Sequence, residues 1–256
     1  MNILFIGDVF GSPGRKIIKE ILPSYKREKK IDYCIANAEN AAGGSGINYV
    51  IAKGLYESGV DFITMGNHTW ARKEIHSFID SQENFIRPAN YPPDVPGKGY
   101  DVVETPNGKI AVINLMGRVF MDYVDCPFRK ADEILTEVKK HTNIIIVDFH
   151  AEATSEKIAL ANYLDGRVSA VIGTHTHVQT ADEQILDCGT GYISDVGMTG
   201  PKEGIIGVRK DIVLDKFVKG FSSKFEVAKG IMQLNALEIE IEEVKGRTVR
   251  IQRVKQ

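Results

Sequence analysis

Short apolar runs alternate with amphipathic stretches along most of this chain. Asn2-Ile3-Leu4-Phe5-Ile6 is apolar on both faces and reads as a buried strand. From Arg15 to about Lys29, the spacing of Ile17, Ile18, Ile21, Leu22 and Tyr25 predicts a helix, which Pro23 should interrupt. Asp32 to Ala36 and Phe62 to Met65 predict two further strands, with a helix from about Asn48 to Ser58 between them. A helix is expected near Lys73 to Asp80, and the proline-rich stretch 83–99 reads as an irregular crossing. Tyr100 to Glu104 and Lys109 to Leu115 predict a strand pair joined by a turn at Pro106-Asn107-Gly108.

A helix at about Arg129 to Lys140 leads to Ile144-Ile145-Ile146-Val147, the most apolar strand pattern in the chain. Ser155 to Leu164 predicts a helix capped by Thr154 or Ser155, and Val168 to Ile172 a buried strand. Residues 183–194 predict two more strands, and Ile231 to Glu242 with Arg247 to Gln252 a terminal hairpin. Strands alternating with helices, followed by strand pairs, imply an α/β sandwich with helices on the outer faces. No repeat or long linker divides the chain, so residues 1–256 are expected to form one domain.

Composition narrows the function classes. A hydrophobic content of 43% supports a sizeable core. The net charge of -2 offers no basic surface for nucleic acid or an anionic membrane. The longest apolar runs are too short to cross a bilayer. Cys34, Cys126 and Cys188 are odd in number and form no CxxC, which points to the cytoplasm. The terminal hairpin alternates apolar and polar residues, and an exposed sheet edge there would favour a homo-oligomer.

The chemistry gathers at the strand ends. Asp8 follows the first strand, Glu39 and Asn40 the second, Asn67 and His68 the third, His150 the most apolar one, and His175 and His177 the next. In open α/β sheets ligands sit outside the carboxyl ends of strands. If residues 175–177 are extended, both imidazoles face one point. Each residue alone has a bland reading: Asp8 a turn or cap, Asn67 a turn residue, His150 a core histidine, Glu39 a solvated carboxylate. Their coincidence at five strand ends outweighs those readings. His76 and His141 lie in polar helical contexts and read as solvated. Carboxylate, amide oxygen and imidazole together suit Mn, Fe or Zn. Two such cations about 3.5–4 Å apart need a shared ligand and can clamp a phosphate. Glu39 has the reach for that bridge, while Asp8 on its tight turn suits a terminal position.

These residues also resemble a known family. GDVFG from Gly7, GNH from Gly66 and GTHTH from Gly173 are similar to the motifs of calcineurin-like metallophosphoesterases. NAENAAGG from Asn37, DFHAEATSEK from Asp148 and DVGMTGP from Asp195 narrow the likeness to the YmdB-like branch, bacterial phosphodiesterases of cyclic nucleotides. Phe10, Glu39 and Thr69 depart from the wider superfamily, which has His, Asp and an acidic residue there. The resemblance implies a four-layer αββα metallophosphoesterase sandwich with mixed sheets. It implies two divalent or mixed-valence metal ions per chain, iron first and manganese second. One would be held by Asp8, Glu39, Asn40 and His177, the other by Glu39, Asn67, His150 and His175. A bridging hydroxide would attack phosphorus, and His68 would be the general acid. The expected substrate is a small phosphodiester, a 2′,3′- or 3′,5′-cyclic nucleotide. Two alternatives share this metal core: a phosphomonoesterase, such as a nucleotidase or protein phosphatase, and a metal-binding signalling module without catalysis.

Overall fold

The computed structural model describes residues 1–220 and 224–256. In chain order the strands are β1 (Asn2–Ile6), β2 (Asp8–Val9), β3 (Tyr33–Asn37), β4 (Phe62–Thr64), β5 (Phe85–Ile86), β6 (Tyr100–Thr105), β7 (Gly108–Met116), β8 (Ile145–His150), β9 (Ala170–Thr174), β10 (Gln184–Ile185), β11 (Gly191–Ile193), β12 (Met198–Pro201), β13 (Met232–Gln233), β14 (Asn235–Glu242) and β15 (Arg247–Lys255). The helices are α1 (Gly11–Lys29), α2 (Tyr49–Glu57), α3 (Pro127–Val138), α4 (Thr154–Leu164) and α5 (Lys210–Lys219).

Side-chain alternation sorts these elements into four layers. In β1, Ile3 and Phe5 enter a core shared with Ile110, Val112, Ile146 and Ile172 of the second sheet. Leu4 and Ile6 point the other way, against Ile17, Ile18 and Leu22 of α1 and Leu55 of α2. In β8, Ile146 faces the first sheet, while Ile145, Val147 and Phe149 pack against α3 and α4. Strands buried on both faces are therefore apolar throughout. The result is an αββα sandwich. Its first sheet runs β15-β14-β1-β3-β4-β5 and its second β10-β11-β9-β8-β7-β6. β1, β3, β4 and β5 are mutually parallel, as are β11, β9, β8 and β7, with antiparallel partners at the margins. A small third sheet joins β2 to β12 and β13.

Several expectations need correction. α1 begins at Gly11, four residues before the predicted start, within what read as a loop. Proline is tolerated in a first helical turn, and a Cβ at Gly14 would stand 2.3 Å from the Thr199 carbonyl oxygen. That glycine lets α1 press onto β12. Pro23 stays inside the helix on its exposed side, where water can serve the carbonyl it leaves without a partner. Neither Thr154 nor Ser155 caps α4: Ala153 holds the N-cap position, with no side-chain bond. The turn near 73–80 is a short 3-10 segment, Lys73–Ser77. The strand before His175 lies two residues later than expected, at Ala170–Thr174. β12 and α5 carried no sequence signal strong enough to be expected. β15 does lie at a sheet edge, and it carries Arg247, Arg250, Arg253 and Lys255, charges of the kind that blunt open edges. No helix among the described residues is long and apolar enough to cross a membrane.

Candidate metal centre

Above the apolar core between the sheets, the inward-facing series of five strands turns polar. Asn37 ends β3, Thr64 ends β4 and Thr174 ends β9, while Asn114 and Asp148 sit opposite each other in β7 and β8. All five are fully buried. Asp148 is their hub. Its Oδ2 accepts hydrogen bonds from Thr64 Oγ1 at 2.5 Å, Asn37 Nδ2 at 3.1 Å and Asn114 Nδ2 at 3.2 Å. Its Oδ1 accepts from Thr174 Oγ1 at 2.7 Å. Burial pushes the Asp148 carboxyl up, and the charge of His150, followed by the Thr64, Thr174 and Asn37 donors, offsets only part of that rise.

One layer further out, this network sets the histidines. The Thr174 hydroxyl spends its proton on Asp148, so it accepts from His150 Nδ1 at 2.9 Å. His150 Nε2 then faces Asn67 Oδ1 at 2.9 Å, Glu39 Oε1 at 3.1 Å and His175 Nδ1 at 3.1 Å. His175 directs its other nitrogen, Nε2, to Glu152 Oε2 at 3.1 Å, which leaves Nδ1 bare toward the centre. His177 Nδ1 donates to the Ile206 carbonyl at 3.1 Å, so its bare Nε2 faces Asn40 Nδ2 at 3.1 Å and Asp8 Oδ1 at 3.8 Å. His68 Nδ1 lies 2.8 Å from Asn40 Oδ1, and its backbone N–H donates to Glu39 Oε2 at 2.8 Å. The sequence therefore pointed to eight residues, and all eight meet. Asp8, Glu39, Asn40 and His150 are buried; the other four are partly exposed.

The expected reason for the meeting of His175 and His177 does not hold. They are not extended: φ is 103° at His175 and 66° at His177, a region that non-glycine residues seldom occupy. Asp195 holds this turn. Its Oδ2 accepts from Thr176 N at 3.0 Å and Thr176 Oγ1 at 2.8 Å, and Lys157 of α4 reaches the same oxygen at 2.8 Å. Both members of the pair are buried, at 2% and 1% exposure. His150, moreover, is the last residue of β8 rather than a loop residue. Sequence reasoning missed Asp148, Thr174, Glu152, Lys157 and Asp195. The available signal for the first three was position, each lying within two residues of a histidine at a strand end.

The donor set fits a cation. Lone pairs of Glu39, His150 and His175 all lie within 4.8 Å of one another. Asp8 Oδ1 is buried with no hydrogen-bond partner, an arrangement that costs roughly 1–3 kcal/mol if nothing serves it. A proton shared by Glu39 and His150 satisfies one of these meetings; divalent charge satisfies them together. A Cβ at Gly66 would stand 2.4 Å from Glu39 Oε2 and from His150 Nε2, so only glycine leaves this space open. Burial pushes the Asp8 carboxyl up to about 6, against the pull of His177 and His150. Burial also works against the Glu39 anion, but His150 and His68 outweigh it and bring it down to about 2. For His150 burial opposes the charged ring, and Glu39 reverses this and raises it to about 9. Burial, followed by the charge on His150, lowers His175 to about 3.

The family model described as YmdB-like protein matches residues 4–254. A 2′,3′-cyclic-nucleotide 2′-phosphodiesterase of Bacillus subtilis (strain 168) is 52% identical over 254 residues, covering 99% of this chain and 96% of its own. The crystal structure of a hypothetical protein from Thermus thermophilus superposes with a TM-score of 0.94 at 43% identity, covering 100% of this chain and 99% of its own. That of a novel phosphatase of Mycoplasma pneumoniae gives 0.94 at 36% identity, covering 100% and 93%.

The buried Lys157–Asp195 pair sets up a double-mutant cycle. Lys157→Met and Asp195→Asn should each lower unfolding free energy by about 3–5 kcal/mol, because each leaves a buried group without its opposite charge. The double variant should cost clearly less than the sum. Urea unfolding of the four proteins measures this, and strictly additive losses would show that the two groups do not act as a pair.

Proposed function

The chain belongs to the YmdB-like protein family, and on that premise we propose that it is a metal-dependent phosphodiesterase that opens 2′,3′-cyclic nucleotides, with 3′,5′-cyclic nucleotides as a second substrate class. The observation that carries this reading is the convergence of bare imidazole nitrogens and carboxylate oxygens on one buried point, with the Asp8 oxygen unserved. Asp8, Glu39, Asn40 and His177 would hold one cation, and Glu39, Asn67, His150 and His175 a second, with iron or manganese suited to the set. Bound there, the ions supply Lewis-acid charge to the phosphoryl oxygens and acidify a water for in-line attack on phosphorus.

The remaining work falls to His68. Its side chain is 40% exposed and stands at the outer face of the cluster. Asn40 Oδ1 stands 2.8 Å from His68 Nδ1, which leaves Nε2 as the ring nitrogen that would deliver a proton to the substrate. From there a proton would pass to the ribose oxygen as the phosphorus–oxygen bond breaks, while hydroxide, its water having released a proton to solvent, joins phosphorus. Glu39 fixes the His68 backbone through its Oε2, so the proton donor and the ligand cluster are positioned by the same carboxylate. Three cysteines that form no disulfide with one another support a reducing compartment.

His68→Ala should lower turnover of a 2′,3′-cyclic nucleotide by about 10²–10⁴-fold and leave metal content unchanged. Asp8→Ala and Glu39→Ala should lose metal and activity together. Elemental analysis beside a turnover assay reads both; full activity in His68→Ala contradicts its role, and full metal content in the other two contradicts the ligand set.

Metal binding should also be proton-linked. His150 has a raised pKa of about 9, so near neutral pH it carries a second proton that a cation must displace. Affinity for Mn²⁺ should therefore rise from pH 6 toward pH 9 and level off beyond it. Calorimetry in two buffers of different ionisation enthalpy counts the released protons, and zero release at pH 7 would refute the assignment of His150 Nε2 as a ligand atom.

A further inference from the structure

The residues that hold His177 in place also build a second space beside it. Ile206, whose carbonyl takes the His177 Nδ1 proton, has a strained φ of 44° and lies between Gly204 at 120° and Gly207 at 95°. This turn walls a cavity of about 210 Å³ that His177 also lines. The wall carries Gln179, Gln233, Lys202 and Lys255, and no carboxylate. Gln179 is committed: its Nε2 donates to the carbonyls of Val196, Ala236 and Val254. Lys202 directly follows β12 and Lys255 ends β15, so they come from different parts of the chain. Neither forms an ion pair with another described residue.

Two exposed ammonium groups without an ion-pair partner among the described residues, at a cavity that shares His177 with the candidate ligand cluster, make a local field that favours an anion. A neutral nucleobase would cover these charges without compensating them, at a cost in desolvation. In a 2′,3′-cyclic nucleotide the 5′ carbon is attached next to C3′, so a phosphate on it lies a few bonds from the cyclic phosphate. We propose that this cavity is a second phosphate subsite, with Lys202 and Lys255 receiving the 5′-phosphate of a nucleotide whose cyclic phosphate lies at the metal centre. The proposal rests on the phosphodiesterase reading above. The same chemistry has two sources: a free 5′-phosphate, or the 5′ linkage of an RNA strand that ends in a cyclic phosphate. Both present an anionic phosphate at the same point of the ribose.

The test compares kcat/KM for nucleoside 2′,3′-cyclic phosphates bearing a 5′-hydroxyl or a 5′-phosphate, each with adenine and with uracil, and for a dinucleotide ending in a 2′,3′-cyclic phosphate. The metal-loaded enzyme and its Lys202→Gln/Lys255→Gln variant are assayed side by side. The enzyme should prefer the 5′-phosphate over the 5′-hydroxyl by about ten-fold, as two exposed charge contacts allow. The preference should shrink as ionic strength rises and fall close to one in the variant. A preference shared by the dinucleotide assigns the subsite to an RNA end; one confined to the monoester assigns it to a free 5′-phosphate. A ratio near one in the unmodified enzyme overturns the proposal, as does a preference that follows the base or survives the double replacement. Hydrolysis of none of these substrates overturns the phosphodiesterase reading and the subsite with it.

Discussion

A single buried carboxyl group governs the arrangement at the strand ends. Asp148 has no exposed surface and no cationic side chain bonded to it; four neutral donors from four other strands serve it instead. Leaving a carboxylate in such a place is costly unless its oxygens are fully hydrogen-bonded, so the five strands have to hold one mutual register. That register links the two sheets just above their shared apolar core. It also fixes one proton of His150 on Nδ1, because Thr174 can give its hydrogen only once. That aims the other nitrogen, Nε2, at the space among Glu39, Asn67 and His175.

The outer part of the centre depends on strain held in place by charge. His175, His177 and Ile206 all have positive φ, conformations that cost of order 1–3 kcal/mol each. The Lys157–Asp195 pair and the Thr176 bonds secure the first two, and the His177–Ile206 bond secures the third. A buried ion pair adds little net stability of its own, so its value here is geometric. It pins a turn that would otherwise relax and carry both imidazoles away from the cluster. Phe10 packs edge-on to His177 at 5.5 Å, so its ring supports His177 by packing.

Much of this was legible in the residues alone, for physical reasons. Short continuous apolar runs exposed most strands of both sheets, because strands buried on both faces must be apolar throughout. Polar residues at the ends of such strands stood out against that background, and the candidate ligands were found this way. What stayed hidden depends on contacts far apart in sequence. Nothing local in Ile144–His150 says that Asp148 faces Asn37 and Thr64 rather than solvent, or that Lys157 leaves its helix to reach Asp195. The left-handed turn at 175–177 was misread because histidine gives no sign of positive φ. β12 and α5 escaped notice since Met198–Pro201 is too short to show a period, and α5 buries only Val213.

The central claim is that Asp148 and the residues above it prepare a site for two neighbouring cations. Anomalous diffraction from crystals soaked in Mn²⁺ tests it most directly. The account predicts two peaks about 3.5–4 Å apart, with Glu39 between them, Asp8 and His177 on one and His150 and His175 on the other. A single peak, or manganese bound outside this cluster, would contradict it.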